Sequence, residues 1–542
     1  MQKWVIITAL CVRISIALFT TTFFQPDEYF QSLEVAHHLV FGYGHLTWEW
    51  LTDKPIRSIL YPALNVPIYW LLKLLSLDDT VLLIWGPRIL HGTLAAATDI
   101  WLYKLTIRII GQKYAIVTFF LSLTSFFHGL ALSRSLSNSL ETSLTTIALS
   151  YFPWGIPSSS WRCDLRRAFT FAALACAVRP TNAVLWVYLT GLLLWRLRFD
   201  KKRVVSIISD GIVIGFVTVI LLLVLDSLYY KQLTFTPLNF LATNLTSVSL
   251  FYGSNPWHYY ISQAVPILCT ITLPFLLHGI WLTRTRFATH EVKDMLGLIA
   301  WTIGIYSLAG HKEWRFIHPL LPLLHILAAM SLVHLYDAKA TRAGLPKKLR
   351  AFPVRKLHLF VLLLNLPAIY YVVRCHGRAQ IEAMHFLRSL PNEETYTVGF
   401  LMPCHSTPWQ AYLHKSSLID NGRLWAIGCE PPLHGEDLQV YEDQTDVFYA
   451  SPMTYIRDRF PQEVDPSFPP SPYPSSRPGV LDTTKSWKHT WPRYLVFFGA
   501  LQEVNILASL RDKGYQPVWN AQYGLDNEES RSGGVTVWKY GP

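Results

Sequence analysis

Apolar stretches long enough to cross a bilayer recur along this chain, and that recurrence limits the fold more than any motif does. They lie at about 4–24, 81–107, 114–132, 140–154, 168–178, 183–195, 204–228, 259–282, 295–309, 316–336 and 357–373. A crossing helix needs about 20 residues, so about eleven spans are expected. Two of the runs, 168–178 and 183–195, are short; they read as a re-entrant pair or as tilted helices meeting at Arg179-Pro180. The first run is apolar except for Arg13 and is followed by no small-residue cleavage site, so it reads as a retained span and not as a signal peptide. Only 15% of the residues are charged, against about 25% in soluble chains. The fold class expected is a polytopic α-helical membrane protein.

The net charge of +11 does not imply nucleic acid, because basic residues of membrane proteins gather in cytosolic loops. Three clusters do so here. They are Arg162, Arg166 and Arg167; Arg196, Arg198, Lys201, Lys202 and Arg203; and Lys339, Arg342, Lys347, Lys348, Arg350, Arg355 and Lys356. With these loops cytosolic, the loops at 25–80, 133–142, 179–182, 229–258 and 310–315 fall on the opposite face. So does the sequon Asn244-Leu245-Thr246, which makes Asn244 a candidate glycosylation site.

In the long first loop, Tyr29, Phe30, Leu33, Ala36, His37 and Val40 recur at helical spacing, and a second such segment runs over 63–75. Both suit helices lying in the membrane interface, with Trp48, Trp50, Tyr61, Tyr69 and Trp70 as aromatic anchors. The module of spans is expected to occupy 1–375. The tail, 376–542, has no run long enough to cross. Runs at 397–402, 424–427, 494–498 and 535–538 read as strands, and those at 381–390 and 502–511 as helices. A small α/β domain on the non-cytosolic side is expected, with a Pro-rich loop at about 461–478. Cys404 and Cys429 share this tail, where an oxidising compartment allows a disulfide. The cysteines show neither CxxC nor a Cys/His metal spacing.

The chemical candidates share one face. Asp27 and Glu28 follow Pro26, a pattern that starts a helix as readily as it supplies a general base. His311-Lys312-Glu313-Trp314-Arg315 is dense in ionisable groups for a short turn. It reads either as an interfacial turn or as a phosphate site, with Lys312 and Arg315 as cations and Glu313 orienting one of them. Ser133–Thr142, which contains Arg134 and Glu141, is rich in capping residues. Arg179 is a further anion ligand or a turn residue. Arg88, His91 and Asp99 are ionisable near membrane depth; Asp99 reads as structural, paired with a cation on another helix, beside a close-packing face at 92–97.

Pro26-Asp27-Glu28-Tyr29-Phe30-Gln31 after a first span, Ser133–Thr142, Arg179-Pro180-Thr181 and His311-Lys312-Glu313-Trp314-Arg315-Phe316, in this order, closely resemble the signature set of glycosyltransferase family 22, the dolichol-phosphate-mannose-dependent mannosyltransferases of GT-C fold. Gln25 stands where several sister enzymes carry His, so no role for a His is carried over there. In the tail, Gly399–Pro408 and Asp446–Pro452 resemble the branch that extends the GPI-anchor precursor. That resemblance implies an endoplasmic-reticulum enzyme that adds the third GPI mannose in α-1,2 linkage, with its site facing the lumen. The substrates implied are a lipid-linked mannosyl donor and a GPI-precursor acceptor, with no cofactor and no demand for a divalent metal. Asp27 would be the base, with Glu28 a second acceptor contact or a helix starter. Lys312 and Arg315, helped by His311 and Arg179 and oriented by Glu313, would receive the phosphate, with Arg134 a further substrate- or phosphate-binding residue. The rivals are a sister enzyme acting on the fourth GPI mannose or on the dolichol-linked N-glycan precursor, and, from another class, a lipid transporter.

Overall fold

The computed structural model describes all residues except 1, 156–159, 245–247, 285–288, 343–351, 392–395, 420–421, 434, 439, 473–486, 504–505, 525–528 and 542. Lys347, Lys348 and Arg350 of the strongest basic cluster, Leu245 and Thr246 of the sequon, and the end of the Pro-rich loop lie outside the described residues.

Every apolar run folds as helix, among them Lys3–Phe19, Leu82–Ile110, Ser137–Tyr151, Lys201–Tyr230, His290–Ser307 and Leu321–Arg342. The two short runs become Trp161–Val178 and Ala183–Arg196, joined by a 3₁₀ turn at Pro180–Asn182. Among the described residues, 4 helical stretches are long and apolar enough to cross a membrane, fewer than the eleven runs of the sequence: Lys201–Tyr230, Tyr260–Leu282, Trp314–Lys339 and Lys356–Ser389.

The first helix packs against Leu82–Ile110 at the expected small-residue face. A Cβ on Gly92 would lie 3.0 Å from the Ile14 Cα and 3.1 Å from the Arg13 carbonyl oxygen, so the two backbones are in near contact. That approach delivers Arg13 to Asp99. Nε and Nη2 donate to the two carboxylate oxygens at 2.7 and 2.9 Å, and both side chains are fully buried. The expected partner for Asp99 is therefore a cation on the neighbouring helix.

The tail is an α/β unit. Five strands, β1 (Val398–Leu401), β2 (Leu424–Ala426), β3 (Tyr494–Phe498), β4 (Tyr515–Ala521) and β5 (Val535–Tyr540), form one sheet in the order β2-β1-β3-β5-β4. β1 pairs parallel with β2 and β3; β5 pairs antiparallel with β3 and β4. Four of these strands follow from their apolar runs. β4 does not, because it is an edge strand with alternating exposure and carries Pro517, where the register slips between Pro517 and Trp519.

Side-chain alternation gives the sheet two cores. On one face Val398, Phe400, Tyr494, Val496, Val535 and Val537 pack with Phe23, at the end of the first apolar run, and with Tyr29, Phe30 and Leu33 of the long first loop. On the other, Leu401, Trp425, Leu495, Phe497 and Trp538 pack with the tail helices Pro452–Arg459 and Ile506–Asp512. The two parts of the chain thus share a core.

The helix at Tyr29–Phe41 sits in that shared core. It opens with a widened π turn, Tyr29–Leu33. From Tyr29 to His37 its polar residues are buried along with its apolar ones, while Leu39 near its end is exposed. Ser32 meets the Ser135 hydroxyl at 2.6 Å, Gln31 donates to Glu49 at 3.1 Å, and Glu34 accepts three backbone N–H groups. The second interfacial candidate, Val66–Leu74, keeps Trp70, Leu71 and Leu74 exposed while Tyr69 is buried. Trp48 and Trp50 are buried too; their indole N–H groups donate to the Tyr252 hydroxyl and the Phe30 carbonyl at 3.0 and 3.1 Å. Both indoles thus have a partner for their one polar atom.

Candidate active site

Asp27 lies at the start of the Tyr29–Phe41 helix, where Phe30 N–H donates to the Pro26 carbonyl at 3.0 Å. It is both a helix-start residue and the member of an ion cluster. Arg315 Nη1 donates to Asp27 Oδ2 at 2.5 Å across 288 residues of sequence. The rest of the guanidinium grips Glu313: Nε donates to Oε2 at 2.5 Å and Nη2 to Oε1 at 2.9 Å. His311 Nε2 faces Glu313 Oε1 at 3.2 Å. Burial pushes the Glu313 carboxyl up, but Arg315 and His311 outweigh it and hold Glu313 well below the usual carboxylate range. The hydrogen bond to Glu313 raises His311 in turn. The dense turn is thus one connected array joined to Asp27.

Lys312 is not part of that array. Its ammonium donates to the Asn255 carbonyl at 2.7 Å, and burial lowers its pKa. Arg179 stacks on Phe316, 5.3 Å from the ring centre, with Nε 3.2 Å from Glu141 and Nη1 donating to Ser137 at 3.1 Å. Asn182 donates to the other Glu141 oxygen at 2.9 Å. Asn138 donates to the Arg315 carbonyl at 3.3 Å. The Ser133–Thr142 stretch therefore links the elements of the site. The helix it opens has Leu136 at its N-cap and no side-chain cap.

Glu28 points elsewhere. It is buried, 3.2 Å from Arg134 Nη1, and burial outweighs that cation to raise its pKa. Arg134 also donates to the Thr22 carbonyl and hydroxyl at 2.7 and 2.6 Å. Glu28 and Arg134 line a small cavity with Arg88, His91 and Tyr412, and Arg88 donates to the Tyr412 hydroxyl at 3.0 Å. The adjacent acids therefore have different surroundings: Asp27 belongs to the Arg315 array and Glu28 to the Arg134 cavity.

Two site residues were not expected from the sequence, Arg57 and Glu49. Arg57 Nε and Nη2 donate to Glu49 Oε1 at 3.0 and 2.6 Å. Asp27 and Arg315 are both close enough for their charges to act on Arg57. Their spacing in an aromatic loop fits no helical or strand period, so only the tertiary fold brings them in. Cys404 and Cys429 are joined in a disulfide, with Cα atoms 5.8 Å apart. Among the described residues, the one group of three candidate metal ligands within mutual reach is this pair with His405. A disulfide presents no thiolate for a metal to take. Asn244 is exposed at the end of the Thr236–Asn244 helix.

Comparison with known proteins agrees with this architecture. The crystal structure of ArnT from Cupriavidus metallidurans bound to undecaprenyl phosphate superposes over 99% of this chain and 98% of its own, with TM-score 0.57 and 13% identity, a likeness of fold. Its apo state gives a TM-score of 0.58 over the same shares of the two chains. Among relatives by sequence, GPI mannosyltransferase 3 of Yarrowia lipolytica is 38% identical over 85% of this chain and 84% of its own. The GPI alpha-1,2-mannosyltransferase 3 proteins of Mus musculus and Homo sapiens are each 35% identical, over 85% and 84% of this chain and 79% and 77% of theirs. The profile of the Alg9-like mannosyltransferase family matches residues 4–414, which takes in Asp27, Arg179 and the whole Arg315 array, and the chain belongs to that family.

Proposed function

We propose that this enzyme adds the third mannose, in α-1,2 linkage, to the GPI-anchor precursor, using dolichol-phosphate-mannose at the lumenal face of the endoplasmic-reticulum membrane. The relatives named above support the acceptor and the linkage. The observation that carries the mechanism is the Asp27–Arg315–Glu313 array, in which a single guanidinium joins a candidate base to a candidate anion site.

The chemistry is one displacement. The acceptor hydroxyl attacks C1 of the donor mannose, the bond from C1 to the phosphate oxygen breaks, and dolichyl phosphate leaves from the opposite side, so a β-linked donor gives an α-linked product. Asp27 takes the hydroxyl proton. Arg315 receives the departing phosphate, with Arg57 and Arg179 close enough to add positive potential. Without substrate, Asp27 occupies one edge of Arg315. A phosphate entering there displaces Asp27 and frees a carboxylate oxygen for the acceptor. Glu313, held ionised, keeps the guanidinium in place during the exchange. A phosphate monoester leaves with no pyrophosphate to bridge, so the reading calls on no divalent metal. Glu28 and Arg134 brace the start of the helix that carries Asp27.

Asp27→Asn tests this. The variant should insert and fold, yet transfer mannose about 10²–10⁴-fold more slowly, so that cells accumulate a two-mannose GPI precursor. Full extension of that precursor by the variant removes Asp27 from the role of base. A truncated N-glycan donor in depleted cells, with normal GPI precursors, assigns the acceptor to the sister reaction.

A further inference from the structure

An open pocket lies beside the Asp27 helix, beyond the carboxyl ends of the parallel strands β1 and β2. Open α/β sheets hold their ligands at that end. Its walls come from both parts of the chain: Phe30 and His45 from the first loop, and His405, Trp409 and Glu430 from the tail.

Three features mark it as a built site. The loops after β1 and β2 are tied across the cavity by the Cys404–Cys429 disulfide, which fixes the walls relative to one another. Aromatic faces are grouped around it: the Phe30 and His405 rings are 4.4 Å apart, and His45 and Trp409 are 5.6 Å apart. His405 also holds a left-handed backbone conformation, φ 55°, which a non-glycine residue adopts at a cost. The Glu430 carboxylate has no side-chain partner among the described residues, and burial pushes it up to about 7. Apolar faces with a few convergent polar atoms suit a pyranose, which offers C–H faces to aromatic rings and paired hydroxyls to a carboxyl and an imidazole.

Position gives the occupant its identity. Phe30 lies one helical turn beyond Asp27, a spacing of ~5–6 Å between Cβ atoms and comparable to one pyranose unit. The Asp27 charge also acts on His405, which burial lowers to about 4. We propose that this cavity is the acceptor-glycan subsite: it takes the sugar next to the mannose whose hydroxyl is attacked at Asp27, with Phe30 and Trp409 against the ring and His405 and Glu430 on its hydroxyls. The inference rests on the mannosyltransfer reading above.

The test uses the full-length enzyme in microsomes with two synthetic acceptors, a lipid-linked two-mannose glycan and a lipid-linked single mannose. Glu430→Gln and His405→Ala should each raise KM for the longer acceptor about tenfold. The donor KM, and turnover of the single-mannose acceptor, should stay within twofold. Non-reducing electrophoresis confirms the disulfide in each variant, and Thr407→Val, at the cavity wall, gives a second, milder probe with the same acceptor selectivity. Unchanged KM in all three variants, or equal losses with both acceptors, overturns the subsite. If the cavity variants are silent while Asp27→Asn is inactive, only the subsite fails. If Asp27→Asn retains full activity, the reading beneath it fails.

Discussion

Two arginine–carboxylate pairs in this molecule have the same chemistry and opposite settings. Arg13 and Asp99 are fully buried. Arg13 also donates to the Ser122 and His128 carbonyls at 2.7 and 3.2 Å, and Asp99 accepts from the Ser122 hydroxyl at 2.6 Å. The pair is saturated, with each charge held by protein. Arg315 and Asp27 are 11% and 21% exposed, and Arg315 is shared with a second carboxylate. That pair is open on one side and can exchange a partner. A buried pair of the first kind costs much to break and contributes little to chemistry; one of the second kind can change partners at small cost. Solvent access and spare valence, more than residue type, separate a structural ion pair from a working one.

The largest loss is expected from Arg315→Lys. The charge stays, but a point-like ammonium cannot bridge Asp27 and Glu313 together. Mannosyl transfer should fall about a hundredfold, the loss of one preorganised donor to a developing charge, while the melting temperature in detergent moves little. A large drop in melting temperature with normal turnover would make Arg315 structural. Arg13→Met should do the reverse. It leaves Asp99 buried without a counter-charge, at about 3–5 kcal/mol, so folded protein becomes scarce while turnover per folded molecule is retained. Adding Asp99→Leu should recover much of the lost yield, because an apolar pair carries no stranded charge. Failure to recover would mean that the two residues do more than neutralise each other.

A smaller effect concerns pH. Glu34 accepts from the backbone N–H groups of His45, Gln410 and Ala411 at 2.8, 3.0 and 2.8 Å, and so ties the Asp27 helix to the tail. Burial outweighs those donors and pushes its carboxyl up from 4.5 to about 7. The folded protein then holds a proton that the unfolded chain has shed. The stability this gives is fully present below about pH 4.5 and is lost as pH rises through about 7. Thermal melts at pH 5 and pH 8 should differ in that sense, and Glu34→Gln should shrink the difference. Smallest of all, Asn244→Gln should increase electrophoretic mobility by one glycan without altering activity. That result places the Thr236–Asn244 helix on the lumenal side with the Arg315 array.

The long apolar helices and four of the five strands are legible in the sequence, because apolar runs with the right period leave few alternatives; the short tail helices Gln444–Ala450 and Pro452–Arg459 are not. The edge strand β4 is not: Pro517 and its exposed positions mask it. In the site, Arg315 and Glu313 stand out by charge density, whereas Arg57 and Glu49 are ordinary loop residues until the chain folds. Glu34 reads as a solvent-facing residue of an amphipathic helix. Its burial depends on a second layer supplied from position 410 onward, which no local pattern announces. Asp27 and Glu28 are adjacent in sequence and part company in space, since neighbours on a helix do not share a face.

The Arg13–Asp99 pair also has a history in time. Its partners are 86 residues apart, so during synthesis the first helix exists for a long interval with an arginine and no anion. An arginine at the centre of a lone helix costs about 2.5–3.5 kcal/mol on insertion scales. The first helix is therefore a poor resident of lipid until Leu82–Ile110 emerges and Gly92 lets the two backbones close. The same ion pair that is inert in the finished enzyme supplies the counter-charge that such a first helix needs in lipid.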